Sequence, residues 1–231
     1  LGGFVFYNFR KRKKLENQQA LANERLRISR DLHDDMGASL SSIHIYSSVA
    51  EEALKNDPQK AETIVQQIKL NSRQVMDNMS DIIWAMNEGQ PDGESLTGRI
   101  KNYGYDLLSQ KNIECVYDID QDLEKKVLGP DIRKNILLIV KEALNNIAKY
   151  SNATHAKVTL GLNGQIIHID IRDNGQGFDS TAVLSGNGLI NMKQRTQSLG
   201  GKFYLESIPG EGTHIASSIP VAKISDMQSG T

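Results

Sequence analysis

The stretch Gln165-Ile166-Ile167-His168-Ile169-Asp170-Ile171-Arg172-Asp173-Asn174-Gly175-Gln176-Gly177 decides the fold. Its first half alternates strictly. Ile167, Ile169 and Ile171 share one face, and His168, Asp170 and Arg172 share the other, which is the pattern of a strand buried on one side. Its second half abandons the alternation for a carboxylate, an amide and two glycines. A second alternating run, Ala156 to Leu162, precedes it, and Asn163-Gly164 between the two predicts a hairpin turn.

Working outward, strands are expected at Ile113–Ile119, Lys202–Ile208 and Thr213–Ile219, the last two closing around Pro209-Gly210-Glu211-Gly212. Helices are expected at Arg99–Gln110, Ile132–Tyr150 and about Leu189–Leu199, the second burying Ile132, Ile136, Ile139, Ala143 and Ile147. Residues 96–220 therefore predict an α+β two-layer sandwich, and residues 221–231 a flexible polar tail.

The N-terminal part has a different period. Leu21, Ile28, Leu32, Met36, Leu40 and Ile43 recur at helical spacing, and so do Ile64, Ile68, Val75, Met79, Ile82 and Met86. Asn56-Asp57-Pro58 separates the two runs, because proline cannot continue a helix. Gly89-Gln90-Pro91-Asp92-Gly93 ends the second run as a hinge. Residues 15–90 thus predict an all-α helical hairpin whose exposed stripes call for a second copy, a homodimer built as a four-helix bundle. Leu1–Phe9 is apolar and aromatic and the basic run Arg10–Lys14 follows, so residues 1–14 read as the end of a transmembrane helix with its juxtamembrane segment.

Composition narrows the classes. The chain has 231 residues, 39% apolar and 24% charged, as soluble globular domains do. A net charge of −1 gives no global field for nucleic acid, so none is expected as a direct partner. The one cysteine, Cys115, excludes an internal disulfide and is expected to be a buried structural thiol.

The chemistry-bearing residues fall in two places. Glu142, Asn146 and Lys149 are spaced to share one helix face opposite the isoleucines, and an acid, an amide oxygen and a cation there suit hydrated Mg²⁺ and phosphate. Asp173 can accept a hydrogen bond from an exocyclic amine such as that of adenine, while Gly175 and Gly177 permit close backbone approach. Gly186 and Gly188 open a helix, a favourable place for phosphate. Far upstream lies Arg30-Asp31-Leu32-His33-Asp34-Asp35-Met36-Gly37, in which His33 is flanked by acids. His44, His155, His168 and His214 belong to no such constellation and are expected to be surface or packing residues.

In this order and separation the motifs resemble a bacterial two-component sensor histidine kinase, of the subfamily with a His-Asp phosphoacceptor box. The resemblance of residues 96–220 is to the ATP-binding module shared with gyrase-type, heat-shock and mismatch-repair ATPases. It implies that Asn146 binds Mg²⁺, that Asp173 binds adenine, and that Gly175, Gly177, Gly186 and Gly188 line the nucleotide loops around a short lid. Thr213 matches a threonine near the adenine, and Tyr150 stands where close relatives often carry histidine. The cofactors implied are ATP and Mg²⁺. His33 would be the phosphorylated nucleophile and Asp34 the carboxylate that holds its ring, although neighbours in sequence do not face each other on a helix. A separate response regulator would receive the phosphoryl group, on the cytoplasmic side of the inner membrane. The resemblance extends through Met79–Asn87, where Trp84 is expected to pack rather than to bind a ligand. The subfamily commonly has glutamine where Ala38 stands, a residue taken to orient the water that dephosphorylates the regulator. Two other readings share the ATP site: a serine kinase or ATPase of the same superfamily, and a pseudokinase scaffold.

Overall fold

The computed structural model describes residues 10–12, 15, 19, 22, 40–86, 94–179 and 187–221. The chain divides into two compact units, Leu1–Gln90 and Pro91–Thr231.

In the first unit residues 40–56 are helical (α1), and α2 runs Pro58–Met86. The break between them is a single residue, Asp57, whose Oδ1 accepts the Lys60 N–H at 3.0 Å as an N-cap, with Pro58 in the first helical position. Ala50, Ala53, Ala61, Ile82 and Ala85 are buried, whereas Leu40, Ile45, Leu54, Val65, Leu70 and Met76 are exposed. Trp84 is half-buried, in keeping with packing. The expected helix before residue 40, apart from scattered helical positions, and the hinge at 89–93 lie outside the described residues, as do the apolar N-terminus and the polar tail.

The second unit is a five-stranded mixed sheet with helices on one face. Its elements are α3 (Leu96–Ser109), β1 (Glu114–Ile119), α4 (Gln121–Glu124), α5 (Pro130–Asn146), a π-helical turn (Ile147–Ser151), β2 (His155–Asn163), β3 (Ile166–Asp173), α6 (Asn187–Ser198), β4 (Lys202–Ile208) and β5 (Gly212–Pro220). The order across the sheet is β1-β2-β3-β5-β4, with β1 and β2 parallel and the rest antiparallel. One face buries Val158, Leu160, Ile167, Ile169 and Ile171 beneath α3, α5 and α6, and α5 lies between the other two helices. The opposite face carries His155, Lys157, His168 and Arg172 in the open.

Three details depart from the sequence expectation. The β2–β3 turn falls one residue later, at Gly164-Gln165, where Gly164 at the first central position takes φ +62°. Helix α3 starts earlier than Arg99, because the Ser95 hydroxyl caps it by accepting the Gly98 N–H at 3.0 Å. The helix expected to run unbroken to Tyr150 is α-helical only to Asn146 and then widens into the π turn. Helix α5 is also buried beyond its isoleucine stripe, at Arg133, Lys134 and Asn135, since it is flanked on both sides.

Candidate functional site

Strand β3 delivers Asp173 at its end, where it pairs with Ala156 of β2 and Thr213 of β5. Its Oδ1 accepts the Gly175 N–H at 2.8 Å, the turn that a carboxylate two residues before a glycine favours. Burial pushes the Asp173 carboxyl above the usual aspartate range, and N–H groups of Gly175 and Thr213 partly offset this. The residue is half-buried, with one oxygen committed to the loop.

The loop 174–178 is wedged between two other segments. A side chain on Gly175 would strike the Ser151 carbonyl, and one on Gly177, at φ +56°, would strike that of Ile208. Asn174 Oδ1 accepts the Thr154 N–H at 3.0 Å and the His155 N–H at 2.9 Å. The Phe178 N–H donates to Ser207 Oγ at 2.9 Å, and that hydroxyl lies 3.0 Å from Thr213 Oγ1. The tip of the β4–β5 hairpin is therefore fixed against Asp173 itself. Gly212, at φ +92°, leaves no room for a Cβ beside the Asp173 carbonyl oxygen. Gly212→Ala should cost about 2–4 kcal/mol, from backbone strain and the collision together. Thermal unfolding should show it as a lower Tm, and a Tm equal to that of the parent would contradict the packing described.

On α5, Glu142 and Asn146 are half-buried. Gly188, in the first turn of α6, touches the Glu142 carboxylate so closely that a Cβ there would collide with it. Lys149 is exposed. The π turn takes more residues to complete a revolution than an α turn, so Lys149 lags behind the line through Glu142 and Asn146. The structure thus brings Asp173, Gly175, Gly177 and Thr213 into one bracketed corner and sets Glu142 against Gly188. His33, Asp34, Gly186 and most of the lid lie outside the described residues.

Sequence reasoning missed Ser151, Asn174, Gln176 and Ser207, the polar residues that hold the corner together. It also missed a partnership of His214, whose Nε2 lies 2.6 Å from Asp170 Oδ2 and whose ring meets that of Tyr204 edge-on. His44, His155 and His168 are exposed, and Cys115 is a half-buried free thiol whose pKa burial raises.

No group of three or more His, Cys, Asp or Glu among the described residues could hold a metal ion by itself. A cation held by the Asn146 amide oxygen would draw on phosphate and water oxygens as well, a donor set that suits Mg²⁺. No described helix is long and apolar enough to cross a membrane.

Two family models match the chain. Residues 24–91 match one described as histidine kinase, and residues 132–223 match the histidine kinase-, DNA gyrase B- and HSP90-like ATPase family. Among curated relatives, Bacillus subtilis sensor histidine kinase LiaS is 26% identical over 220 residues, covering 90% of this chain and 60% of that protein. Staphylococcus epidermidis sensor protein VraS is 28% identical over 210 residues, covering 89% and 58%. The chain therefore spans about three fifths of the length of these relatives. Among solved structures, the Erythrobacter litoralis blue-light activated histidine kinase superposes with a TM-score of 0.56 at 18% identity, covering 84% of this chain and 60% of that one. Acinetobacter baumannii histidine kinase AdeS gives 0.53 at 14%, covering 82% and 98%. These likenesses concern the fold.

Proposed function

The chain belongs to the histidine kinases, and on that premise we propose that it is the kinase core of a sensor protein, which phosphorylates His33 from ATP and passes the phosphoryl group to an aspartate of a separate response regulator. The observation that carries the reading is the bracketed corner, in which a half-buried carboxylate, Asp173, ends β3 beside a loop whose glycines let it pack against the Ser151 and Ile208 carbonyls.

Asp173 accepts the adenine amine, and the loops that carry Gly175, Gly177, Gly186 and Gly188 line the nucleotide. Asn146, with Glu142 and Lys149 nearby, serves the phosphate end. Bound Mg²⁺ would neutralise phosphate charge as the transfer proceeds. A neutral imidazole nitrogen of His33 attacks the γ-phosphorus, the new N–P bond forms as the bond to the ADP oxygen breaks, and Asp34 holds the other ring N–H. Exposed apolar residues along α1 and α2 support a dimer that pairs two hairpins. The basic run Arg10–Lys14 supports attachment at the cytoplasmic face of a membrane.

Incubation with γ-labelled ATP and Mg²⁺ tests the reading. Acid-labile, alkali-stable label is the expected result. Acid-stable label would favour the serine kinase, and ATP binding without label the pseudokinase. A further expectation concerns Ala38, which cannot orient water. The protein with ADP should hardly accelerate loss of phosphate from its regulator, and Ala38→Gln should accelerate it. Rapid dephosphorylation by the parent chain would defeat that expectation.

A further inference from the structure

Gln176 makes more cross-segment bonds than its place in a glycine loop would suggest. Its backbone N–H donates to the Ser151 carbonyl at 2.7 Å, and its backbone carbonyl accepts the Gly210 N–H at 2.6 Å. Its side-chain Nε2 donates to the Tyr150 carbonyl at 2.7 Å, and its Oε1 accepts from Asn152 Nδ2 at 3.4 Å. The carbonyls of Tyr150 and Ser151 lie at the end of the π turn, where a helix runs out of its own donors. Asn152 follows in the left-handed conformation at φ 52°, so the chain turns away and supplies none. Gln176 is therefore a C-cap delivered from another segment. The flanking glycines are what let it reach, since a Cβ on Gly175 would collide with the Ser151 carbonyl and one on Gly177 with that of Ile208.

We propose that Gln176 is a positioning residue for the nucleotide: by capping the π turn it fixes Lys149, which follows Asn146 on that turn, relative to Asp173. This rests on the ATP-binding reading above. A primary amide suits the place because it both donates to Tyr150 and accepts from Asn152. Glutamate has the same shape but no donor, and it sets a negative charge against carbonyls at a helix C-terminus, where the helix is already negative. Lysine restores the donor and the favourable charge. With the cap lost, the π turn relaxes towards α geometry, and Lys149 and Tyr150 rotate relative to Asn146.

The test compares the full chain with Q176E and Q176K by calorimetric titration of MgATP and by thermal unfolding. Q176E should weaken ATP binding by about three- to tenfold, the scale of one solvent-accessible hydrogen bond. Q176K should stay within about twofold of the parent, on the same scale. In autophosphorylation, the Q176E effect should fall on KM for ATP with kcat retained. Parent-like binding by Q176E would overturn the proposal, as would equal weakening by both variants. Weakening that merely follows a large fall in Tm would assign a folding role and overturn it as well. If the parent chain binds no ATP, the functional reading falls and this proposal with it.

Discussion

His33→Ala should reduce autophosphorylation to background while leaving ATP affinity within about twofold, since the expected loss is of a nucleophile rather than of a binding contact. The separation of effects follows from the division of the chain. The nucleotide corner is built wholly within Pro91–Thr231, and His33 belongs to the other unit. Asp34→Asn makes the graded companion. Asparagine can still occupy the place but carries no charge to stabilise the developing imidazolium, so label should form about a hundredfold more slowly, at the lower end of general acid–base effects. Label formation over time with the three proteins, beside ATP titration of each, measures both. Label surviving in His33→Ala would move the nucleophile elsewhere.

The second large effect is at Asp173. Asp173→Asn keeps the shape and can keep the bond from Gly175, because the amide oxygen accepts as the carboxylate does. What changes is the other atom: an NH₂ replaces an acceptor, so it meets the adenine amine donor against donor and can no longer accept from the Thr213 N–H. ATP binding should weaken by about 10- to 100-fold, the range for a hydrogen bond to a charged partner. The same logic reverses for inosine triphosphate, whose exocyclic C6 carbonyl oxygen is an acceptor: the variant should bind it relatively better than the parent does. A titration of both nucleotides against both proteins checks this, with Tm as the control. Equal loss for the two nucleotides would mean that Asp173 supports the loop rather than reads the base. Acid weakens the parent in the same direction. Burial raises the Asp173 carboxyl, so as pH falls its charge is lost before that of a free aspartate.

Much of this corner was legible in the sequence because its signals are local. Ile167, Ile169 and Ile171 repeat every second residue, and Asp57-Pro58 carries its own stop and restart, so the strand and the helical break followed directly. The Asp173–Gly175 turn is likewise written in adjacent residues. What escaped is tertiary. The π turn is held by donors from Gln176, about 26 positions away, and nothing in Ile147–Ser151 itself distinguishes it from α-helix. Buried Arg133, Lys134 and Asn135 broke the simple stripe of α5 because a helix flanked on both sides must bury polar residues too, here with Asn135 accepting from Arg195 at 3.3 Å. His214 was passed over since its partner Asp170 lies on the neighbouring strand, visible only once β3 and β5 are paired. An asparagine and a glutamine within a glycine loop were the available signal for the bracket, as side-chain amides there commonly bond to nearby backbone.

The central claim is that the phosphoryl group comes to rest on His33. It is tested most directly by incubating the chain with MgATP, digesting at neutral to alkaline pH and mapping the phosphate by mass spectrometry. One acid-labile phosphoramidate is expected, on the peptide that contains His33. Phosphate on another histidine, or an acid-stable ester on serine or threonine, would contradict it.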